Sequence, residues 1–503
     1  MKLHSSRLPL TLGGAALLLT LGIWVNTGTL APYGATLKNP LIWAPCNYPL
    51  NIDNPHFKAT FLMLDGAPRG QWAFSLVLRR ILYPLLAYPL MKLLGFGAGG
   101  LVTNVLLAVG SLAVFWLALG RRLGGEPPAA ILALLATYPG WMYWAGLPYS
   151  YAIIVPASLL CLVLLWRLET LTGWPEALLA GLAMGVLFTG YDLLPFFGVA
   201  GVLLLLYRRL WGLCAAFAVA MSIPPALTSA VLWQVYRVPF RNGNTEAYYK
   251  VFRSYVSKVD LWAWWYWLRA FPWAVRDNYF FSNFLFLPVL VLLVLGILWV
   301  QRLRLGAPPP EDPHPYPLSR PLPPPTPGEG DPVGAALPFS LFSRCGGWEG
   351  AGEEGRGDEG LRRQATADSA LPPVLRPTEI SLAIAAVLVF LFLNLSPPYG
   401  GWQLRGFWVP RLYQPVFAAM VSVVAAFFQT RAAILPQVWQ RGMWAALGLV
   451  VALQAWVVFA PVLGAPELSG EIYLRFYHHA SRPFYAENLE KLGTRPVGFC
   501  SSP

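Results

Sequence analysis

The sequence predicts an all-α integral membrane protein with about eleven transmembrane helices and extracytoplasmic juxtamembrane helices in its first outer loop. Three observations predict it. Hydrophobic residues make up 56% of the 503 positions and charged residues only 12%, about half the charged share of a soluble protein. Mean hydropathy is +0.52. Apolar runs of roughly 17 to 25 residues recur along the chain, the length a helix needs to cross a bilayer. The net charge of +12 carries no nucleic-acid signature, because the arginines sit mostly in pairs at the ends of apolar runs, where positive-inside bias puts them. The partner this implies is the lipid bilayer.

The elements follow in order. The first run, Leu8 to Val25, comes after Lys2 and Arg7. A secretory signal has the same flanks, but no clear small-x-small cleavage site precedes Asn26, so a retained span is expected at 8–26. Residues 27–99 form the first long segment of mixed polarity and hold Asp53, His56, Lys58, Asp65, Arg69, Arg79 and Arg80. Its apolar tail, 80–97, is short and contains Pro84 and Pro89, which fits a helix lying at the interface. Further spans are expected at 100–120, 128–146, 149–167, 175–191, 193–209, 211–234, 283–300, 379–396, 412–429 and 442–463. With a cytoplasmic N-terminus these spans put Arg121-Arg122, Arg167, Arg208-Arg209, Arg302, Arg304, Arg431 and Arg441 in the cytoplasm. A crossing at 80–97 would turn every later basic pair outward, against the bias. The C-terminus is then extracytoplasmic, and the compartment is the cell (inner) membrane.

Three organisational regions result: an N-terminal membrane region 1–302, an insert at 303–378, and C-terminal spans with an outer tail at 379–503. The insert contains APPPEDPHPYPLSRPLPPPTPGEGDPVG and GGWEGAGEEGRGDEGLRRQ. Neither stretch can bury a core, so a disordered cytoplasmic segment is expected. Its wording resembles translated repetitive intergenic DNA, and a proline-rich ligand for a partner is the alternative. The outer segments 27–99, 235–282, 396–412 and 464–503 are rich in Trp and Tyr. The WAWWYWLRAF stretch reads as an interfacial aromatic belt, with a carbohydrate-stacking surface as the alternative. Cys161 and Cys214 lie in apolar runs as packing residues, and Cys345 lies in the insert. Cys46 and Cys500 share the oxidising side and are candidates for a disulfide tying the tail to the first outer loop.

Carboxylates are nearly absent from the apolar spans. A proton- or sodium-coupled transporter would place them near mid-membrane. They gather instead outside, at Asp53, Asp65, Asp192, Asp260 and Asp277.

Several stretches carry a resemblance: DNPHF in the first outer loop, RRILYPLLAYPLMKLLGF at its end, TNVLLAVGSLAVFWLALG in the second span, RRLGG at its foot, and the later RGFWVPRLYQPVFAAM. Together they resemble the GT-C superfamily of polytopic membrane glycosyltransferases. The likeness covers most of the chain outside the insert and identifies no individual family. Asp53 is followed by Asn54, so the paired Asp-Glu of the first loop is absent, and no WWD-type sequence occurs.

The resemblance implies transfer of a sugar from a polyprenyl-phosphate-linked donor to an acceptor (glycan, lipid or protein) at the outer face. A general base must take the acceptor's proton, and the leaving lipid phosphate needs cationic or metal stabilisation. Asp53 is the first candidate base and Asp65 the second. A helix-capping or solvated carboxylate is the alternative for each, and for Asp65 the turn-like LDGAPRG favours it. Arg405 and Arg411 are the candidate phosphate-binding cations, because they lie outside against the positive-inside trend and a planar guanidinium suits phosphate oxygens. Arg80 is a third, with its neighbour Arg79 snorkelling. Tyr191, Asp192 and His56 are supporting candidates that orient the base or help hold a divalent cation. The His478-His479 pair lacks a third ligand at metal-site spacing, so the cofactor stays open. The competing functions are a multi-span transporter or flippase of a lipid-linked or small polar substrate, and a non-catalytic assembly factor.

Overall fold

The computed structural model describes residues 7–34, 59–71, 78–171, 173–238, 287–305, 377–385, 414–430, 432, 435–459 and 462. They are helical, with no strand among the described residues. In chain order the helices are α1 (Arg7–Gly34), α2 (59–64), α3 (Leu82–Leu94), α4 (Phe96–Leu123), α5 (Ala129–Ala136), α6 (Pro139–Ala145) and α7 (Ile154–Leu168). They continue with α8 (Trp174–Phe188), α9 (Pro195–Tyr207), α10 (Trp211–Gln234), α11 (Leu287–Leu305), α12 (377–385), α13 (Gln414–Thr430) and α14 (Gln437–Phe459). Short 3-10 turns occur at Arg69–Gln71 and Ser150–Ile153. One compact unit comprises the described residues of Met1–Leu298 and Val374–Pro503, and the expected insert lies outside the described residues over 306–376.

Each of the eleven expected spans contains described helix. Four stretches are long and apolar enough to cross a bilayer: Phe96–Leu123, Ser150–Leu168, Trp211–Gln234 and Gln437–Phe459. The other apolar helices are shorter. Apolar side chains cover their outward faces as well as the core. Leu17, Leu21 and Trp24 of α1, Leu178 and Leu182 of α8, and Val219, Ile223 and Leu227 of α10 are all exposed. A helix that is apolar all round belongs in lipid or in a large core, so membrane association follows from these faces. Polar side chains turn inward instead and bond to their own helix. Thr103 donates to the carbonyl of Gly99 (2.8 Å) and Ser158 to that of Ile154 (2.6 Å), the local satisfaction a dry environment requires.

Long-range contacts sort the helix ends into two groups. At the end where α1 finishes, Gly22 lies against Met142 and Val458. Asn104 donates there to the carbonyls of Ala145 (2.8 Å) and Leu147 (2.6 Å), and Leu82 N–H donates to Thr189 (3.3 Å). We call this the upper end. At the lower end Thr11 meets Glu126 (3.3 Å), Arg122 meets Glu169, and Arg208 donates to the carbonyl of Leu168 (2.8 Å). The chain therefore rises in α1, descends in α4, rises through α5 and α6, descends in α7, rises in α8, descends in α9 and rises in α10. α13 descends, from Gln414 beside Gly140 to Gln429 beside Gly125, and α14 rises to place Val458 against Gly22.

α3 does not take part in this alternation. Its first residue bonds to Thr189 and its Leu90 carbonyl packs on Gly99, so both its ends touch the upper end.

Two boundaries depart from the sequence expectation. The 128–146 span is not one helix: Tyr138 is extended (φ −65, ψ 111) between α5 and α6. The cause is Pro139, which sterically disfavours helix at the residue before it and starts α6 itself. α1 runs to Gly34, past the polar Asn26 and Thr27, because loss of hydrophobicity does not by itself end a hydrogen-bonded helix. Elsewhere, packing depends on small residues. α8 and α10 approach through Gly181 and Gly185, where an added Cβ would lie 2.5 Å from the Phe217 carbonyl oxygen and 2.3 Å from that of Met221. Pro224 and Pro225 sit in this stretch of α10, where each removes an N–H from the helical ladder.

Candidate functional site

The upper end gathers the polar chemistry. Arg80 sits just ahead of α3, and Asp192 sits in the turn between α8 and α9. Although 112 residues apart, they form an ion pair: Arg80 Nε donates to Asp192 Oδ2 at 3.1 Å and Nη2 donates to the same oxygen. The guanidinium carbon lies 4.9 Å from the Tyr191 ring centre and 5.5 Å from that of Tyr151. Those two tyrosines pack edge to face, centroids 6.1 Å apart, and both are almost fully buried. Arg80 is thus held between aromatic faces, a setting that suits a weakly hydrated guanidinium.

The pair is asymmetric. The Arg80 side chain is 16% exposed and that of Asp192 is 63% exposed. Nη1 of Arg80 is buried without a hydrogen-bond partner among the described residues. Surrounding protein works against ionisation of Asp192, yet the charge and hydrogen bonds of Arg80, with the charge of Arg79, hold its carboxyl below the usual aspartate value. Arg80 is buried, which opposes its charge, but Asp192 and the two tyrosines raise its pKa well above the ordinary value. Both groups are charged at neutral pH.

Asp65 lies apart from this pair. It opens the turn after α2, and its Oδ1 accepts from Lys92 Nζ (2.6 Å) and from Tyr88 Oη (3.2 Å), both on α3. The Lys92 hydrogen bond is the main cause lowering the Asp65 pKa, and Asp65 in turn raises that of Lys92. Phe61 of α2 packs on Tyr88 and Phe96, centroids 5.7 and 5.5 Å away. The ion pair and this ring cluster pin 59–71 onto α3. A carboxylate so stabilised is a weaker proton acceptor. Beneath α2 is a small apolar cleft lined by Phe61, Tyr83, Pro84, Met91, Phe96, Pro148 and Ser150.

The structure therefore brings together Arg80, Tyr191 and Asp192, three residues singled out from sequence, and sets Asp65 elsewhere on the same end. Asp53, His56, Arg405, Arg411, Cys46 and Cys500 lie outside the described residues, as do Asp260, Asp277 and the histidine pair. No group of three or more His, Cys, Asp or Glu that could hold a metal ion occurs among the described residues.

Sequence reasoning missed Tyr151 and Lys92. Tyr151 stands in LPYSYAI, which reads as one more interfacial aromatic stretch, and Lys92 as one more cation in an amphipathic helix. It also missed the partners of Arg122 at the lower end, Glu169 and Glu379. Their rarity was the available signal, since both flank apolar runs in a chain with 24 acidic residues. No protein family, curated protein or solved structure matches this chain.

Proposed function

We propose that this chain is a membrane glycosyltransferase of eleven spans, moving a sugar from a polyprenyl-phosphate-linked donor to an acceptor at the outer face. The observation that carries the reading is Arg80, a mostly buried guanidinium at the upper end with two donors committed to Asp192 and Nη1 without a hydrogen-bond partner among the described residues. Around it lie α3, which stays at that end, and the mixed-polarity segment that α3 terminates. Sidedness is supported by Arg121, Arg122, Arg167, Arg208, Arg209 and Arg441, which sit at the lower ends of α4, α7, α9 and α14, as the positive-inside trend places cytoplasmic residues. The upper end is then the outer face, and the N-terminus is cytoplasmic.

In this mechanism Asp53 takes the proton of the acceptor hydroxyl as its oxygen attacks the anomeric carbon. The bond from that carbon to the phosphate oxygen breaks, and polyprenyl phosphate leaves. Arg80, with Arg405 and Arg411, stabilises the charge that develops on the phosphate. Asp192 holds Arg80 in place. A phosphate at the membrane surface suits this geometry because the donor's tail never leaves the lipid.

One observation favours the transporter reading. The break between α5 and α6 is surrounded by Thr137, Gln414 and Gln454, all buried, and interrupted helices lined by polar groups form transporter sites. A single comparison separates the two. In membranes carrying equal amounts of protein, Asp53→Asn and Arg80→Ala abolish sugar transfer from a polyprenyl-phosphate donor if the proposal holds. Full transfer by both variants sinks the catalytic assignment.

A further inference from the structure

The lower end carries arginines that the catalytic reading does not use. Arg208 follows α9 and reaches across to the foot of α7, where its Nη1 donates to the carbonyl of Leu168 (2.8 Å). Arg209 follows it in the chain, and Arg167 precedes Leu168; both are exposed. None of the three forms an ion pair among the described residues. The acidic residues closest to them in the chain are Glu169, which is taken up by Arg122 and Thr378, and Glu176, in the first turn of α8.

A second contact joins the same two neighbouring turns. Trp174 opens α8, and Gly212 stands at the start of α10, where an added Cβ would lie 3.0 Å from the Trp174 ring. Trp174, Tyr207 and Trp211 are nevertheless exposed, and the last two flank the Arg208-Arg209 pair in sequence. Exposed indole and phenol rings at the ends of apolar helices sit at headgroup level. Above them run the exposed apolar side chains of α8 (Leu178, Leu182) and α10 (Val219, Ile223). Arg209 has φ 59, with Leu210 N–H bonded back to the carbonyl of Leu205 (3.0 Å). Glycine fills that position of a helix stop without steric cost, so the turn does not account for an arginine there.

We propose that the feet of α7 and α9, with the starts of α8 and α10, form a docking site for an anionic phospholipid. Arg167, Arg208 and Arg209 take the headgroup phosphate, Trp174 and Trp211 lie at the glycerol level, and the acyl chains run up the apolar faces of α8 and α10. Guanidinium groups suit phosphate oxygens. A cluster of them between helices at the cytoplasmic side selects an anionic headgroup over a zwitterionic one, whose own ammonium it repels. The occupant is a lipid because the cations are framed by aromatic and apolar surface. The site lies at the end opposite Arg80 and Asp192, and it does not depend on the catalytic reading.

The test counts lipids held by the full chain, purified in a neutral detergent, by native mass spectrometry. The probe is phosphatidylglycerol, with phosphatidylcholine of the same acyl chains as the comparison. The wild type should take up phosphatidylglycerol saturably at concentrations where phosphatidylcholine is not retained. Arg209→Gln should weaken that retention about fivefold, and adding Arg167→Gln should weaken it about fivefold again, the effect of one basic residue near an anionic surface. Neither side chain bonds to a described residue, so neither change removes a contact of the fold. Arg441→Gln removes an equally exposed arginine at the foot of α14, which packs on α1, α5 and α6, and should leave retention unchanged. Equal retention by the wild type and the Arg167→Gln/Arg209→Gln protein overturns the proposal. So does an equal loss in Arg441→Gln, which would assign the effect to general surface charge. Displacement of the lipid by millimolar glycerol phosphate would make the ligand a free phosphate and overturn the lipid assignment.

Discussion

Arg80 is the side chain whose surroundings say most about what this end of the molecule can do. Removing its counter-charge tests that setting. Asp192→Asn keeps one acceptor oxygen but loses the charge. Because Asp192 is 63% exposed, the stability cost is discounted for solvent screening to about 1 kcal/mol, read as a shift in unfolding midpoint. In a double-mutant cycle with Arg80→Lys the two losses should be less than additive. The pH dependence has a definite sign. Asp192 has its pKa lowered by Arg80 and Arg79, so its contribution is present above the unfolded aspartate value near 3.9 and is lost as pH falls through the lower folded value. Asp192, Tyr191 and Arg80 were each legible in the sequence, as a rare acid with its neighbour at a hairpin turn and as an arginine out of keeping with the positive-inside trend. Tyr151 was not, because one aromatic residue among 22 tyrosines announces nothing until the fold brings it over a guanidinium.

At the scale of elements, α3 matters most, since it decides which way every later helix runs. The seat of α3 on α4 has a point of closest approach at Gly99, where an added Cβ would lie 2.2 Å from the Leu90 carbonyl oxygen. Backbone cannot yield as a side-chain tip does, so Gly99→Ala should destabilise the protein by roughly 1–3 kcal/mol, measured against Gly110→Ala, which meets nothing within 4 Å. A further contact of α3 is weaker and local. Lys92→Ala removes the ion pair to Asp65 and should raise hydrogen exchange in 59–71 while leaving α4 protected. Unaltered exchange in 59–71 would show that the ion pair does not hold the segment. Proline content and short length set 80–97 apart from the expected spans, and in the structure both ends of α3 contact the upper end. The same residue type was overlooked at Pro139, where a long, mostly apolar run outweighed one local steric rule in reading 128–146.

At the scale of the whole molecule, the apolar runs made the helical elements readable, since hydrophobicity marks burial in lipid directly. Their ends and interruptions were less readable, because those depend on which carbonyls find partners in neighbouring helices. The ordering of helix ends into two groups leads to a topological prediction. With the other cysteines replaced by serine, Arg69→Cys should react with a membrane-impermeant maleimide in intact cells, and Thr170→Cys only after permeabilisation. Labelling of both from one side would contradict the alternation of α4, α5–α6 and α7. The site itself was only partly legible. Sequence reading can find unusual charges, but it cannot show that Asp65 is bound to Lys92 while Asp192 is bound to Arg80.

The central claim is that this chain consumes a polyprenyl-phosphate sugar at its upper end. The most direct measurement is mass-spectrometric detection of free polyprenyl phosphate released when the purified full chain is mixed with polyprenyl-phosphate-linked hexoses or pentoses and an extract of membrane acceptors. The account predicts release that depends on the protein and on the acceptor extract, and that Arg80→Ala reduces by about a hundredfold or more, as loss of a charge-stabilising donor does elsewhere. Equal release with and without the protein, across every donor sugar, would contradict it.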